Sequence, residues 1–112
     1  MPFNVKGGWE IVQSSGHVVS MDVRSQQSGG RFDIGYNTAR EVHSGNGRIN
    51  DAWTSDSECV FLIVWDNGAR GRYSGRFDFQ GRLTGMCHDE AHPSAVASWY
   101  AKKPPDDVFK QF

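Results

Sequence analysis

Cys87-His88-Asp89-Glu90-Ala91-His92 gathers soft and hard metal ligands into one short run. The spacing is not His-Glu-x-x-His, Pro93 follows at once, and no helical pattern brings His88 and His92 to one face. The run therefore reads as a solvated loop. Arg70, Arg72 and Arg76 recur at even spacing, as a basic stripe on one strand face that suits a carboxylate, sulfate or phosphate. Asp66, Asp78 and Asp89 lie near enough to pair with them, so the stripe reads as a solvated outer face. For catalysis, the four His, two Cys and thirteen acidic residues show no pairing at motif spacing. That pattern points to binding before chemistry, and it implies no cofactor and no metal.

The elements that must position such groups centre on Val60 to Phe79. Val60-Phe-Leu-Ile-Val-Trp65 is continuously apolar, and Asp66-Asn67-Gly68 is turn chemistry, because Asn and Gly tolerate positive φ. Beyond the turn, Arg70, Arg72, Ser74, Arg76 and Asp78 alternate with Ala69, Gly71, Tyr73, Gly75, Phe77 and Phe79. A period of two means a strand, so the stretch is a hairpin. Glycines between aromatics suit a tightly curved sheet. In the first strand the aromatic set Phe61, Ile63 and Trp65 is assigned inward, which leaves Val60, Leu62 and Val64 outward. Soluble monomers avoid such an aliphatic patch. A second subunit is expected on it, in a homo-oligomer (dimer or tetramer), unless Asp51–Glu58 or Lys102–Phe112 folds over it.

The remaining chain carries the same period. Strands are predicted over Trp9–Ser14, His17–Arg24, Arg31–Tyr36, Arg82–Cys87 and Ala95–Ala101, with a short pair of Glu41–His43 against Arg48–Ile49. Asp51–Glu58 is polar apart from Trp53, which would cap a barrel mouth or seat a sugar ring. His88–Pro93 is predicted as a loop, and 102–112 as a C-terminal tail. No segment shows a helical apolar stripe. The fold class is all-β: an antiparallel up-and-down meander of about eight strands, closed as a small β-barrel that can hold one small ligand. At 112 residues it is one domain, 1–112.

Composition narrows the partners. A net charge of −1 argues against general nucleic-acid binding. No apolar run approaches the roughly 20 residues of a helical membrane span. Met1-Pro-Phe-Asn-Val-Lys6 has no apolar signal core, so a cytoplasmic protein or a mature secreted form is expected. Cys59 and Cys87 are too few for a disulfide scaffold; they either pair or remain two buried thiols.

The landmarks resemble the avidin/streptavidin family of barrels. Gly7-Gly8-Trp9 is similar to that family's Gly-x-Trp, and Phe61-Leu-Ile-Val-Trp65 to its Trp-ended strand before a polar turn. Tyr73-Ser74-Gly75 is similar to its aromatic-Ser/Thr-Gly, and Ser98-Trp99 with Asp107-Val108-Phe109 to its closing Trp and Asp-x-Phe. These short motifs span most of the chain. The resemblance implies a non-catalytic small-molecule-binding barrel, associating through outward strand faces. It makes Trp65, Tyr73 and Trp99 pocket aromatics and Ser15 and Asp107 polar pocket groups, and puts Phe32 near the family's pocket Tyr. The chain departs from the pattern at Ile11, Ala69 and Gly71, where the family has polar residues that bind the head of biotin. A site without those partners leaves the head unpaired, so biotin itself is not the expected ligand. Two other readings stay open: a carbohydrate-binding module using Trp53, Trp99, Tyr100 and the asparagines, and a small barrel enzyme such as a cyclase or isomerase.

Overall fold

Alternation sorts the chain into an inner and an outer face. Trp9 and Ile11 of β2 (Gly7–Gln13) pair with Met21 and Val19 of β3 (Val18–Val23), and all four are buried. Cross-strand partners share a face, so one alternate set of each strand builds the interior. The computed structural model describes residues 1–112. After β2 and β3 come β4 (Thr38–Glu41), β5 (Gly45–Thr54), β6 (Glu58–Trp65), β7 (Arg70–Phe77), β8 (Leu83–Asp89) and β9 (His92–Lys102). Each strand pairs antiparallel with the next, and β9 returns to β2 with Ile11 opposite Ala101 and Gln13 opposite Trp99. The result is an eight-stranded closed antiparallel barrel without helices. Closure leaves the barrel no free edge strand.

Interior glycines make room for the large rings. A Cβ on Gly47 would stand 2.7 Å from Ile63 and 2.9 Å from Trp65, and one on Gly75 would stand 2.9 Å from Leu83 and from Trp99. Small and large residues thus alternate around the wall so that the rings fill a narrow barrel. Phe61 stacks on Tyr73 at 4.9 Å, and Trp99 meets both rings edgewise at 6.1 and 6.2 Å. Cys59 and Cys87 are buried free thiols.

One end is sealed by the two termini. β1 (Phe3–Asn4) pairs with β10 (Lys110–Gln111), so the expected tail 102–112 ends in a strand. Phe3 stacks on Phe77 at 4.0 Å, and Trp9 meets Phe109 edgewise at 5.1 Å while its Nε1 donates to Val5 O. Buried Gln26 joins these pieces. Its Oε1 accepts from Val5 N, and its Nε2 donates to Phe3 O, Gly30 O and Thr54 Oγ1.

The predicted strand Arg31–Tyr36 does not form. Phe32 is buried, but Ile34 and Tyr36 are 85% and 63% exposed, and the segment makes only isolated bridges, Gln26–Phe32 and Arg31–Trp53. The cause is buried Asn37. Its Oδ1 accepts from Arg24 N and Ser25 N, and its Nδ2 donates to Ser25 O and Asp33 O, so a side chain takes the bonds of a neighbouring strand. The polar stretch Asp51–Glu58 and the expected loop His88–Pro93 are mostly strand instead. β5 runs on through Trp53 to Thr54 past an irregularity between Asn50 and Trp53, and β8 and β9 take up most of His88–Pro93.

On the outer face of β6, Leu62 lies opposite Asn50 and Arg72 and outside the core cluster, yet it is 1% exposed; Val60 and Val64 are half-buried. The apolar face available to a second subunit is therefore narrower than the sequence implies.

Candidate functional site

An up-and-down barrel brings alternate connections to the same end. The β2–β3, β4–β5, β6–β7 and β8–β9 turns surround the end opposite the terminal seal, and a cavity of about 260 Å³ opens there. Its apolar walls include Val19, Trp65, Tyr73 and Ala97, and its polar lining includes Gln13, His17, Glu41 and His88. This is a small pocket with an aromatic floor and a hydrogen-bonding rim. A hollow of about 560 Å³ on the outer wall, beside Gly75, Gly85 and Arg76, has two hydrophobic residues in its lining and no enclosing turn.

A chain of hydrogen bonds links floor to rim. Tyr73 OH donates to Gln13 Oε1 at 2.8 Å, Gln13 Nε2 donates to Ser15 Oγ at 3.2 Å, and Ser15 Oγ meets His17 Nδ1 at 2.9 Å. Burial pushes the Tyr73 phenol well above its ordinary value, with the charges of Cys87 and Glu41 adding to the effect. The phenol therefore stays protonated and serves as a hydrogen-bond donor.

Glu41 ends β4 with its side chain turned into the mouth, 6% exposed. Its Oε1 accepts from the backbone N–H of His43 at 3.0 Å and of Ser44 at 2.8 Å, and its Oε2 faces His43 Nδ1 at 3.1 Å. Burial raises its pKa, but the hydrogen bonds from His43 and Ser44 outweigh it and bring the value down to about 2. A carboxylate held so low is a poor proton acceptor near neutrality, so it supplies fixed charge in preference to base catalysis. On the outer wall Arg70 and Arg72 both reach Glu90, at 2.8 and 2.7 Å. That ion pair absorbs two of the three stripe arginines, and Arg76 lies 3.9 Å from Glu58.

The residues predicted for the site separate into groups. Ser15, Trp65 and Tyr73 line the mouth cavity. Trp99 lies in the interior against Tyr73 and Phe61, and its Nε1 is buried without a hydrogen-bond partner. Phe32 and Asp107 do not line the cavity. Phe32 lies in the β3–β4 connection, where its N–H donates to Ala52 O. Asp107 closes the turn after β9, with its N–H donating to Lys103 O and its Oδ1 accepting from Lys103 N, both at 2.7 Å. Trp53 pairs with Val60 on the outer face, away from the mouth, so it does not cap the cavity. Trp53, Trp99 and Tyr100 share no surface: Trp99 points inward, and Tyr100, next along β9, is 50% exposed.

Sequence reasoning missed Gln13, His17, Glu41 and His43. His17, Glu41 and His43 bring one potential ligand atom each within 4.8 Å of one another. The only sequence signal was an acidic and imidazole pair, Glu41-x-His43, beside a turn. Comparison with protein families, curated proteins and solved structures finds no match.

Proposed function

We propose that the protein is a non-catalytic barrel that binds a small molecule at its mouth. The observation that carries the reading is the cavity itself: about 260 Å³, open at one end, with Trp65 and Tyr73 in its wall and polar groups around them. Aromatic walls supply contact area, and a few placed polar groups fix orientation. The ligand that fits is small and flat, with an apolar body and polar groups at its outer edge. The avidin-like resemblance agrees in one respect, since Ser15, Trp65 and Tyr73 fall on the same cavity. Biotin itself remains outside the proposal. Ile11 is fully buried, and Ala69 and Gly71 line the pocket with no side-chain polar atom to offer its head.

A native mass spectrum of the chain purified from its own host tests this. The expected result is the 12.5 kDa chain carrying a small organic adduct that denaturation releases, and that Trp65→Ala loses while staying folded. An adduct retained equally by Trp65→Ala would place the binding elsewhere.

A further inference from the structure

We propose that His17, Glu41 and His43 form a site for one divalent transition-metal ion of the Zn²⁺ type, on the rim of the barrel mouth. The inference goes beyond the small-molecule reading and does not depend on it. It starts from topology. β3 lies between β2 and β4, so the Ser14–His17 turn and the Val42–Ser44 turn stand close together at one end. Each contributes imidazole, and Glu41 contributes a carboxylate at the strand end.

The distances suit a shared ion. Two donors about 2.0–2.2 Å from one tetrahedral zinc stand a little over 3 Å apart. Glu41 Oε2 and His43 Nδ1 already stand 3.1 Å apart. His17 completes a trio within 4.8 Å, a gap that a turn of an exposed ring closes; the His43 side chain is 79% exposed and His17 is exposed as well. Glu41 is also oriented for the task. Oε1 takes the two backbone N–H groups, which leaves Oε2 as the oxygen turned toward the imidazoles. Ser15 Oγ holds the His17 ring at Nδ1 and leaves Nε2 free, the outer-shell arrangement that commonly fixes a ligating histidine.

Charge supports the same assignment. Glu58 and Glu90, which are more exposed, have arginine partners, whereas buried Glu41 has no Lys or Arg within salt-bridge distance, only His43. The His17 ring also meets that of His43 edgewise at 5.8 Å, which keeps both imidazoles beside Glu41. Two nitrogens and one carboxylate oxygen suit zinc and its neighbours over Mg²⁺ or Ca²⁺. His17 and Glu41 line the cavity, so the remaining coordination position would be open to water or to a donor atom of a bound ligand.

The test is calorimetric titration of the chelator-treated protein with ZnCl₂, repeated with CoCl₂ to read the visible spectrum. The expected result is one ion per chain, with a Co²⁺ spectrum of low coordination number. His17→Ala and His43→Ala should each weaken binding by more than about tenfold, since even the loss of an outer-shell partner costs that much. Ser15→Ala should weaken it less. Both histidines are exposed, so circular dichroism should show an intact barrel in each variant. Absence of uptake would overturn the site. So would uptake that both histidine variants retain, which would place the ion elsewhere, or uptake lost in His43→Ala but unchanged in His17→Ala.

Discussion

Tyr73 on β7 donates a 2.8 Å hydrogen bond to Gln13 on β2. The two strands are not neighbours in the barrel, so the bond crosses its lumen. It closes the space beneath the mouth and leaves the cavity above a packed interior of Phe61 and Trp99. Tyr73→Phe removes the donor and keeps the ring. Gln13 is half-buried and can find water, so the expected loss is about 0.5–1.5 kcal/mol. Urea denaturation of the variant against the parent measures it, and an unchanged midpoint would mean that the bond contributes nothing.

Glu41 should impose an acid dependence on stability. Its pKa is about 2 in the folded chain, against an ordinary 4.5. A carboxylate depressed by folding contributes stability that is complete above the unfolded value and fades as pH falls toward the folded one. The stability difference between the parent and Glu41→Gln, measured in metal-free buffer, should therefore shrink as pH drops from 4.5 to about 2. A difference that stays constant across that window would show that Glu41 is not held as the structure describes.

Much of this arrangement was legible in the sequence, and the failures have causes. The hairpin of Val60 to Phe79 reads directly, because one strand is buried on its inner face and the next alternates cleanly. The all-β barrel follows from repeating that period. Arg31–Tyr36 misleads because Phe32, Ile34 and Tyr36 alternate like a strand; the side-chain bonds of Asn37 that replace strand pairing are a tertiary fact. The avidin-like resemblance, not the residue pattern alone, pointed to Trp65 and Tyr73 as pocket aromatics, and both line the mouth cavity. Glu41 and His17 were not legible as site residues, since they are far apart in sequence and meet only when β2–β3 and β4–β5 turn at the same end. Asp107 shows the limit of carrying a role across a short motif: here it closes a turn.

The sealed end depends on Gln26. Gln26→Leu keeps the approximate volume but strips Val5 N of its acceptor in a fully buried place. An unsatisfied buried N–H costs about 1–3 kcal/mol, and lost bonds to Gly30 O and Thr54 Oγ1 add to it. Hydrogen exchange should show Val5 and the β1–β10 pair losing protection before the barrel strands. Uniform loss throughout the barrel would mean that the seal is not a separate unit.

Gly85 should tolerate no side chain. It pairs with Gly75 and Trp99, and a Cβ there would collide with the Ser74 carbonyl. Backbone has to move, so Gly85→Ala should cost about 1–3 kcal/mol or more. Gly29 has nothing within 4 Å of its Cβ position, and Gly29→Ala should be close to neutral. Thermal melts of the two variants give the comparison; equal melting temperatures would contradict the packing of β7 against β8.

Small molecules should bind at the mouth formed by Gln13, Trp65 and Tyr73. A fragment screen monitored by amide NMR shifts on the labelled chain tests it most directly. Fragments that bind should shift Gln13, Trp65, Tyr73 and Ala97, leave Val5, Gln26 and Gly81 at the sealed end unmoved, and lose their effect in Trp65→Ala. Shifts that cluster on the outer wall or at the sealed end, or that survive Trp65→Ala unchanged, would contradict it.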